Sequence, residues 1–561
     1  MSKTWLYPDR QTHAVACRNE DDGKIYDGTL SYGGGRWARL AFKSDAPTFL
    51  VEGEEIDHVE VQSELGKKFT LCECRLSGLD LYANFVIEGS VAPSAFDQIT
   101  VRLHEVSEWF LREQRVEGRV GGHLAWSEKS KPIVVSVAND DERFTLTSEY
   151  HGSIRQSGEN RVISEYVDFR FTTEGKKFDL QDLKRKTHEL ACLLSILMAY
   201  PATIGDVRIR QHDGGHSRVH FVTSGRLERD FDDSGFWTKF FVQKQQLDDR
   251  WQTIFERYYR SRFRKVCWTR LAGMQRYEGF WEYEALGYVS LLDRYVSIFS
   301  EGSPKPEPVP PTETKLAEFR RLVKVAMPSV EGAKLDTLVD VASRAFASTS
   351  FAFGEKYELA KGQTDSDIVR IIALSDTAFR KIKRIRDAIA HANDPKLSEG
   401  DHTLVSEIVE KIKLLLTYWA FIDFGLTKYD FLECLKATRS EVRFIARLDE
   451  LHLARLTGTA TFLSVSRANL DELKSTKGTR SFGCFIREGD GSISFSDLHT
   501  KMYSEWQNSR DGNTPMVLSA NAIFGIEDAG ASAIPHAYLE SGEERFEIFH
   551  LWLIERAAIN E

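Results

Sequence analysis

The run Arg386-Asp387-Ala388-Ile389-Ala390-His391 places a carboxylate four residues before an imidazole, with a guanidinium at its head. On a helix, positions i and i+4 share a face, so Asp387 is expected to hydrogen-bond His391. Such a carboxylate would fix the tautomer of the ring and keep it basic, the requirement for acid–base work near neutral pH. Immediately upstream, Arg380-Lys381-Ile382-Lys383-Arg384-Ile385-Arg386 carries five cations and no acid. A stripe of that kind suits a phosphate backbone and assigns Arg380, Lys381, Lys383 and Arg384 to nucleic-acid contact.

The spacing Arg, four residues, His is cheap. It recurs at Arg447–His452 and Arg545–His550. Those two matches have Leu448 and Phe546 where the first has Asp387, and neither follows a basic stripe. A basic run is commonly just a solvated helix face, and a histidine near a helix C-terminus is often a cap favoured by the dipole. Arg386 and His391 also stand about 140° apart around a regular helix. Either the helix loosens before Asn393-Asp394-Pro395, or the pair converges only in an assembly such as a two-fold dimer.

The elements around this motif fall into three zones. Up to about Ile209 the pattern is mostly β. A glycine turn at Gly33-Gly34-Gly35 joins two strands, and alternating runs follow at Ile99–Leu103, Ile133–Val137, Phe144–Thr147 and Tyr166–Phe171. A helix is predicted from Leu180 to Leu197, stopped by Pro201, then strands at Val207–Ile209 and Val219–Val222. Leu247–Arg264 reads as helical and rich in Arg and Tyr. Further helices are predicted at about Tyr277–Phe299, Glu313–Val325, Lys334–Ser348, Ser366–His391 and Thr403–Phe424, with a proline-rich connector over 302–311. The last portion mixes strands at Thr459–Val465 and Phe482–Ile486, a turn at Gly489–Gly491 and a final helix at Phe546–Ala558. The class is α+β multidomain: a β-rich part over 1–265, an all-α bundle over 266–430 and a mixed α/β extension over 431–561.

With 561 residues the chain exceeds a single core, and 42% apolar with 28% charged residues is ordinary for a globular protein. A net charge of −10 argues against a protein that coats nucleic acid nonspecifically. The N-terminus lacks the apolar stretch of a signal peptide, and no apolar run approaches the roughly 18 residues of a membrane span, so a cytoplasmic protein without membrane contact is expected. Cys17, Cys72, Cys74, Cys192, Cys267, Cys434 and Cys484 are too dispersed for a disulfide framework, and Cys72 and Cys74 are expected on one core-facing side of a strand. There is no HExxH, no Cys/His cluster and no carboxylate set for two metals, so neither a metal nor a cofactor is expected.

Arg386-Asp387-x-x-x-His391 near a helix end resembles the Arg, polar residue, three others, His pattern of the HEPN superfamily. Glu278-Gly279-Phe280-Trp281-Glu282-Tyr283-Glu284, running on to Leu291-Leu292-Asp293-Arg294-Tyr295, resembles the first helix of its ApeA-like branch. Gly28-Thr29-Leu30, Phe96 to Trp109 and Tyr166 to Pro201 resemble the ApeA N-terminal domain. The resemblance reaches to about Leu426 and implies an anti-phage, abortive-infection endoribonuclease that needs no metal. It further implies attack by the RNA's 2′-hydroxyl, His391 as general base or acid, Arg386 on the phosphate, Asp387 orienting His391, and a homodimer or higher homo-oligomer answering a phage-encoded trigger. Glu282, Glu284 and Asp293 are candidate supporting acids. The alternative is a catalytically silent HEPN module that dimerises, binds RNA or senses phage.

Overall fold

Buried and exposed side chains alternate along the first strands, the signature of a sheet with one packed face. A computed structural model describes residues 9–18, 23–47, 50–112, 115–118, 124–128, 130–211, 214–225, 239–303, 312–347, 351–398, 400–475, 482–509 and 519–559. Strands β1 (Gln11–Arg18), β2 (Ile25–Gly33), β3 (Arg36–Phe42), β4 (Glu55–Ser63), β5 (Lys68–Ser77) and β6 (Asp80–Glu88) pair in the order β6-β3-β2-β1-β4-β5, and β5 pairs back onto β6. The sheet thereby closes into an antiparallel barrel filled by Val15, Leu30, Leu40, Val61, Phe69, Leu71, Cys74 and Leu81. Gly33, Gly34 and Gly35 all take positive φ at the predicted glycine turn.

The expected shared face of Cys72 and Cys74 is not what forms. Glu73 adopts a left-handed backbone (φ 51), and the inward set switches from Phe69 and Leu71 to Cys74 and Leu76. Cys74 lies in the barrel core, whereas Cys72 is buried outside that cluster.

Strand β6 divides one of its edges. Ala83 and its predecessors pair with β3, while Phe85, Val86 and Ile87 pair with a strand of a second sheet. That sheet contains β7 (Gln98–Leu103), β10 (Val134–Ala138), β11 (Arg143–Ser157), β12 (Asn160–Thr172), β13 (Ile204–Arg210) and β14 (His216–Phe221), in the order β10-β11-β12-β7-β13-β14. A small hairpin, β8 (Arg115–Gly118) with β9 (Leu124–Glu128), stands apart from it. The helix Leu180–Met198 packs against β7 and β13. Asp179 and Asp182 form its capping box, and Ala199 ends it in a left-handed conformation before Pro201.

The span Leu247–Arg264, expected to be continuously helical, breaks at Ser261. A helix Trp251–Arg260 gives way to a π-helical turn, Arg264–Trp268, and then to a helix Thr269–Met274. The buried side of this segment meets the bundle: Phe263 stacks on Tyr295 at 4.6 Å, and Trp268 Nε1 donates to Asp423 at 2.6 Å.

The bundle begins with an opening helix, Trp281–Phe299, followed by Glu313–Ala326 and Ala333–Ala347. Residues 304–311 of the proline-rich connector lie outside the described residues. Next come Phe353–Gln363, which had not been predicted, and Ser366–Ile372. The helix predicted from Ser366 to His391 is in fact two. Ala373 takes φ 53 and Ser375 caps a new helix, Asp376–Ala390, by accepting from the Ala378 amide. The long helix Asp401–Asp423 is buried almost all round from Leu414 to Phe421 and forms the bundle's axis. Lys428–Ala437 and Glu441–Ala446 lie within the same compact unit, which ends at Arg447.

The second unit, Leu448–Glu561, has a sheet ordered β15-β18-β19-β16-β17, from β15 (Thr461–Ser464), β16 (Gly483–Arg487), β17 (Ile493–Phe495), β18 (Ala531–Ser541) and β19 (Glu544–Glu555). The helix Arg467–Ser475 covers one face through Leu470 and Leu473, and Asp497–Asn508 with Ala520–Phe524 covers the other through Tyr503 and Ile523. The final helix expected over Phe546–Ala558 is instead strand β19 with a short helical end, Arg556–Ile559. His550 takes φ 54, and the face carrying Phe546 and Ile548 continues as Leu551 and Leu553. The change of phase breaks the alternation that marks a strand.

Where β6 meets β14, Glu88 lies 3.1 Å from His220 Nε2 and 3.0 Å from Lys67 Nζ. Burial favours the neutral carboxyl, but these two donors outweigh it and bring the pKa of Glu88 from 4.5 down to about 2. A carboxyl depressed on folding contributes stability above its ordinary pKa and loses it as pH falls through the folded one. The melting-temperature advantage of wild type over Glu88→Gln should therefore be full near neutrality and shrink between pH 4.5 and about pH 2. Thermal melts across that range test the linkage, and a pH-independent difference would refute it.

Candidate active site

The motif helix Asp376–Ala390 is anchored by Phe379, Ile382 and Ile385, its buried stripe. Phe379 stacks on Tyr357 at 4.1 Å and meets Phe353 edge-on at 5.1 Å. Both aromatics come from the helix Phe353–Gln363, so the element missed in the sequence is the one that seats the motif. Its signal was the spacing of Phe353, Tyr357 and Ala360, three buried residues on one helical face.

Arg386 borders this buried stripe. Its Nη2 donates to Asp293 on the opening helix, its Nη1 donates to Asp387 at 2.8 Å, and the guanidinium lies 5.3 Å from the Phe353 ring centroid. Nε is buried without a hydrogen-bond partner among the described residues. The guanidinium is thus held by two carboxylates and an aromatic face, with one donor in reserve. The three candidate acids separate. Asp293 reaches Arg386, Glu284 reaches Lys413 at 2.9 Å, and Glu282 has no ion-pair partner among the described residues.

His391 is the C-cap of the motif helix, exposed, with φ −98 and ψ 13. The helix does not loosen ahead of it. The Ala392 amide donates to the Ile389 carbonyl and the Asn393 amide to the Ala388 carbonyl, with Ala392 at φ 54. This is a regular left-handed termination on a residue other than glycine. The expected Asp387–His391 hydrogen bond is absent, because Asp387 receives Arg386 instead. At 100° per residue, Arg380, Lys383, Arg384, Asp387 and His391 still fall on one arc of roughly 100°. Arg386 points about 140° away from His391, toward the opening helix.

The basic stripe is not uniform. Lys381 is committed to an ion pair with Asp401, whose carboxyl is held well below the usual range by Lys381 and then by Ser398. Arg380 Nε donates to the Asp376 carbonyl at 3.2 Å. Lys383 and Arg384 have no ion-pair partner among the described residues, and Arg384 is exposed. The arrangement offers an exposed proton carrier, two free cations on its face, and a guanidinium fixed beside the helix that carries them. No group of three His, Cys, Asp or Glu that could hold a metal occurs among the described residues. Nor is any described helix long and apolar enough to cross a membrane.

The family model for ApeA N-terminal domain 1 matches residues 18–258, and the model for Apea-like HEPN matches residues 286–430. The first match runs from the end of β1 through the rest of the barrel and the second sheet. The second takes in Asp293, Arg386, Asp387 and His391. No curated protein and no solved structure matches the chain.

The Asp293 and Arg386 side chains are 31% and 19% exposed, so their pairing is screened less than a surface ion pair. A double-mutant cycle of Asp293→Asn and Arg386→Gln, read by denaturant unfolding, should give a coupling energy of about 1–2 kcal/mol, between typical surface and buried pairs. A coupling indistinguishable from zero would mean that Asp293 does not hold the guanidinium.

Proposed function

Because the chain belongs to the ApeA type, joining an ApeA N-terminal domain to an Apea-like HEPN domain, we propose that it is a metal-independent endoribonuclease acting in anti-phage defence by abortive infection. A HEPN domain by itself points to a nuclease-type defence role. The observation that carries the finer reading is the exposed His391, set at a helix end on one face with Lys383 and Arg384, next to a guanidinium anchored in the HEPN match.

In this reading the RNA's own 2′-hydroxyl attacks the adjacent phosphorus. The 2′-O–P bond forms, the P–O5′ bond breaks, and the products carry a 2′,3′-cyclic phosphate and a 5′-hydroxyl. His391 takes the proton from the nucleophile or returns one to the leaving oxygen. Arg386 turns its donors from Asp293 and Asp387 to the phosphate and stabilises the charge developing there. Asp387 is then a positioning group for Arg386. Arg380, Lys383 and Arg384 draw in the backbone, and Lys381 holds the motif helix to the long helix. A second copy brings two motifs to one axis. The exposed apolar side chains Leu322, Val325, Met327, Leu338 and Val341, on the helices Glu313–Ala326 and Ala333–Ala347 and at the end of the first, are surface for such a copy to cover.

One observation favours the other reading, a silent module that dimerises or binds RNA: both Nη groups of Arg386 are already paired within the chain. Cleavage of RNA by the purified chain with chelator present separates the two. Wild type should cut, His391→Ala and Arg386→Ala should each lose about 100-fold or more, and a 2′-deoxy substitution at the cut site should block cleavage. Cutting only with added metal, or full activity in both variants, would sink the nuclease reading.

A further inference from the structure

From Arg257 to Arg276 the chain carries seven cations and no acid, within a protein of net charge −10. The motif chemistry leaves this basic run unused. Tyr258, Phe263, Cys267 and Trp268 on it are buried, while Arg260, Arg262, Lys265 and Arg270 are exposed. None of those four is in an ion pair among the described residues, although Arg262, like Arg257, is near enough to Asp423 to act on its charge. The π-helical turn Arg264–Trp268 sends Cys267 and Trp268 into the core, takes Arg264 in with them and leaves Lys265 outside.

A cleft of about 380 Å³ opens beside this turn, with Arg260, Arg262, Arg264 and Lys265 facing Asp140 and Asp141. Two of the cleft's lining groups are buried donors short of an acceptor. Arg264 is 4% exposed, and its Nη1 has no hydrogen-bond partner among the described residues; Tyr259 Oη, 5% exposed as a residue, has none either. Glu189, the carboxylate beside Arg264, stands 3.8 Å from Nε. Unmatched buried donors beside an open cationic cleft call for an acceptor from outside the chain. Two further exposed cations, Arg270 and Arg294, lie near the buried Cys267. Burial pushes the Cys267 thiol up to about 12, and the charges of Arg294 and Arg270 oppose that push, so both lie close to it. Arg294 directly follows Asp293, the residue that holds Arg386.

We propose that this cleft, with the strip through Arg270 and Arg294, is a second phosphate-binding site that grips the RNA backbone away from the cleavage motif. The choice of RNA as ligand rests on the ribonuclease reading; the site itself rests on the charges and unpaired donors. Its use would let an acidic protein bind an acidic substrate through interactions that the cleaved phosphate does not supply.

The test uses the full wild-type chain and a fully 2′-O-methylated RNA of about 20 nucleotides, which 2′-hydroxyl attack cannot cut whatever His391 does. Binding is read by fluorescence anisotropy over a salt series, with inorganic phosphate as a competitor. The triple variant Arg260→Ala/Lys265→Ala/Arg270→Ala should bind about tenfold or more weakly, and its salt slope should fall by about 0.7 for each phosphate that is no longer neutralised. Unchanged affinity and slope would overturn the proposal. So would inorganic phosphate displacing the RNA as effectively as competitor RNA at equal phosphate concentration, which would mark a free-phosphate site. If wild type cuts no RNA but the triple variant weakens binding, the nuclease reading falls and this site stands. If wild type cuts and the variant binds normally, the reverse holds.

Discussion

A guanidinium beside an apolar helix face cannot be left without counter-charge, and the bundle is arranged around meeting that requirement at Arg386. Asp293 supplies one carboxylate from the opening helix, Asp387 supplies another from the next residue, and Phe353 offers its ring. These interactions set the opening helix, the motif helix and the helix Phe353–Gln363 against one another. With Arg386 facing inward, the opposite face of the motif helix is left to Arg380, Lys383, Arg384 and His391. The division between a held arginine and a presented histidine follows from helix geometry once the arginine is paired.

Much of this was legible in the sequence and some was not, for identifiable reasons. The barrel turn at Gly33–Gly35, the helix over Leu180–Met198 and the long helix Asp401–Asp423 carry strong local signals: a run of glycines, leucines at helical spacing stopped by Pro201, and a sustained apolar face. Asp293 was visible only as one of three acids, because which carboxylate meets Arg386 depends on how two distant helices pack. The Asp387–His391 hydrogen bond was a sound local inference overridden by a stronger local competitor, the adjacent Arg386. The failures at Cys72 and over Phe546–Ala558 share one cause. Glu73 and His550 each take a left-handed backbone that shifts the in–out phase of a strand, which periodicity cannot anticipate for residues other than glycine.

The β-rich part and the bundle are not separable by chain cutting. Phe241 packs edge-on against Phe421 at 6.1 Å, Tyr258 against Phe424 at 5.5 Å, and the Tyr258 hydroxyl donates to the Glu189 carbonyl of the sheet-covering helix. Asp423, at the end of the long helix, has its carboxyl raised by burial and partly restored by Ser261 and Trp268. The same pairing pins the backbone just before and within the π-helical turn. Whatever acts on the N-terminal part is therefore joined to the catalytic candidate through packed side chains rather than through a tether.

Strand β6 carries a further consequence. Because its edge is divided between β3 and β14, the barrel and the second sheet form one continuous hydrogen-bonded body. A fragment ending after Glu88 would keep its interior filled yet expose the peptide groups of Phe85, Val86 and Ile87 as a raw edge. Such an edge invites strand addition from another chain. The barrel is in that sense an unfinished surface, protected from self-association only while the rest of its own polypeptide is present.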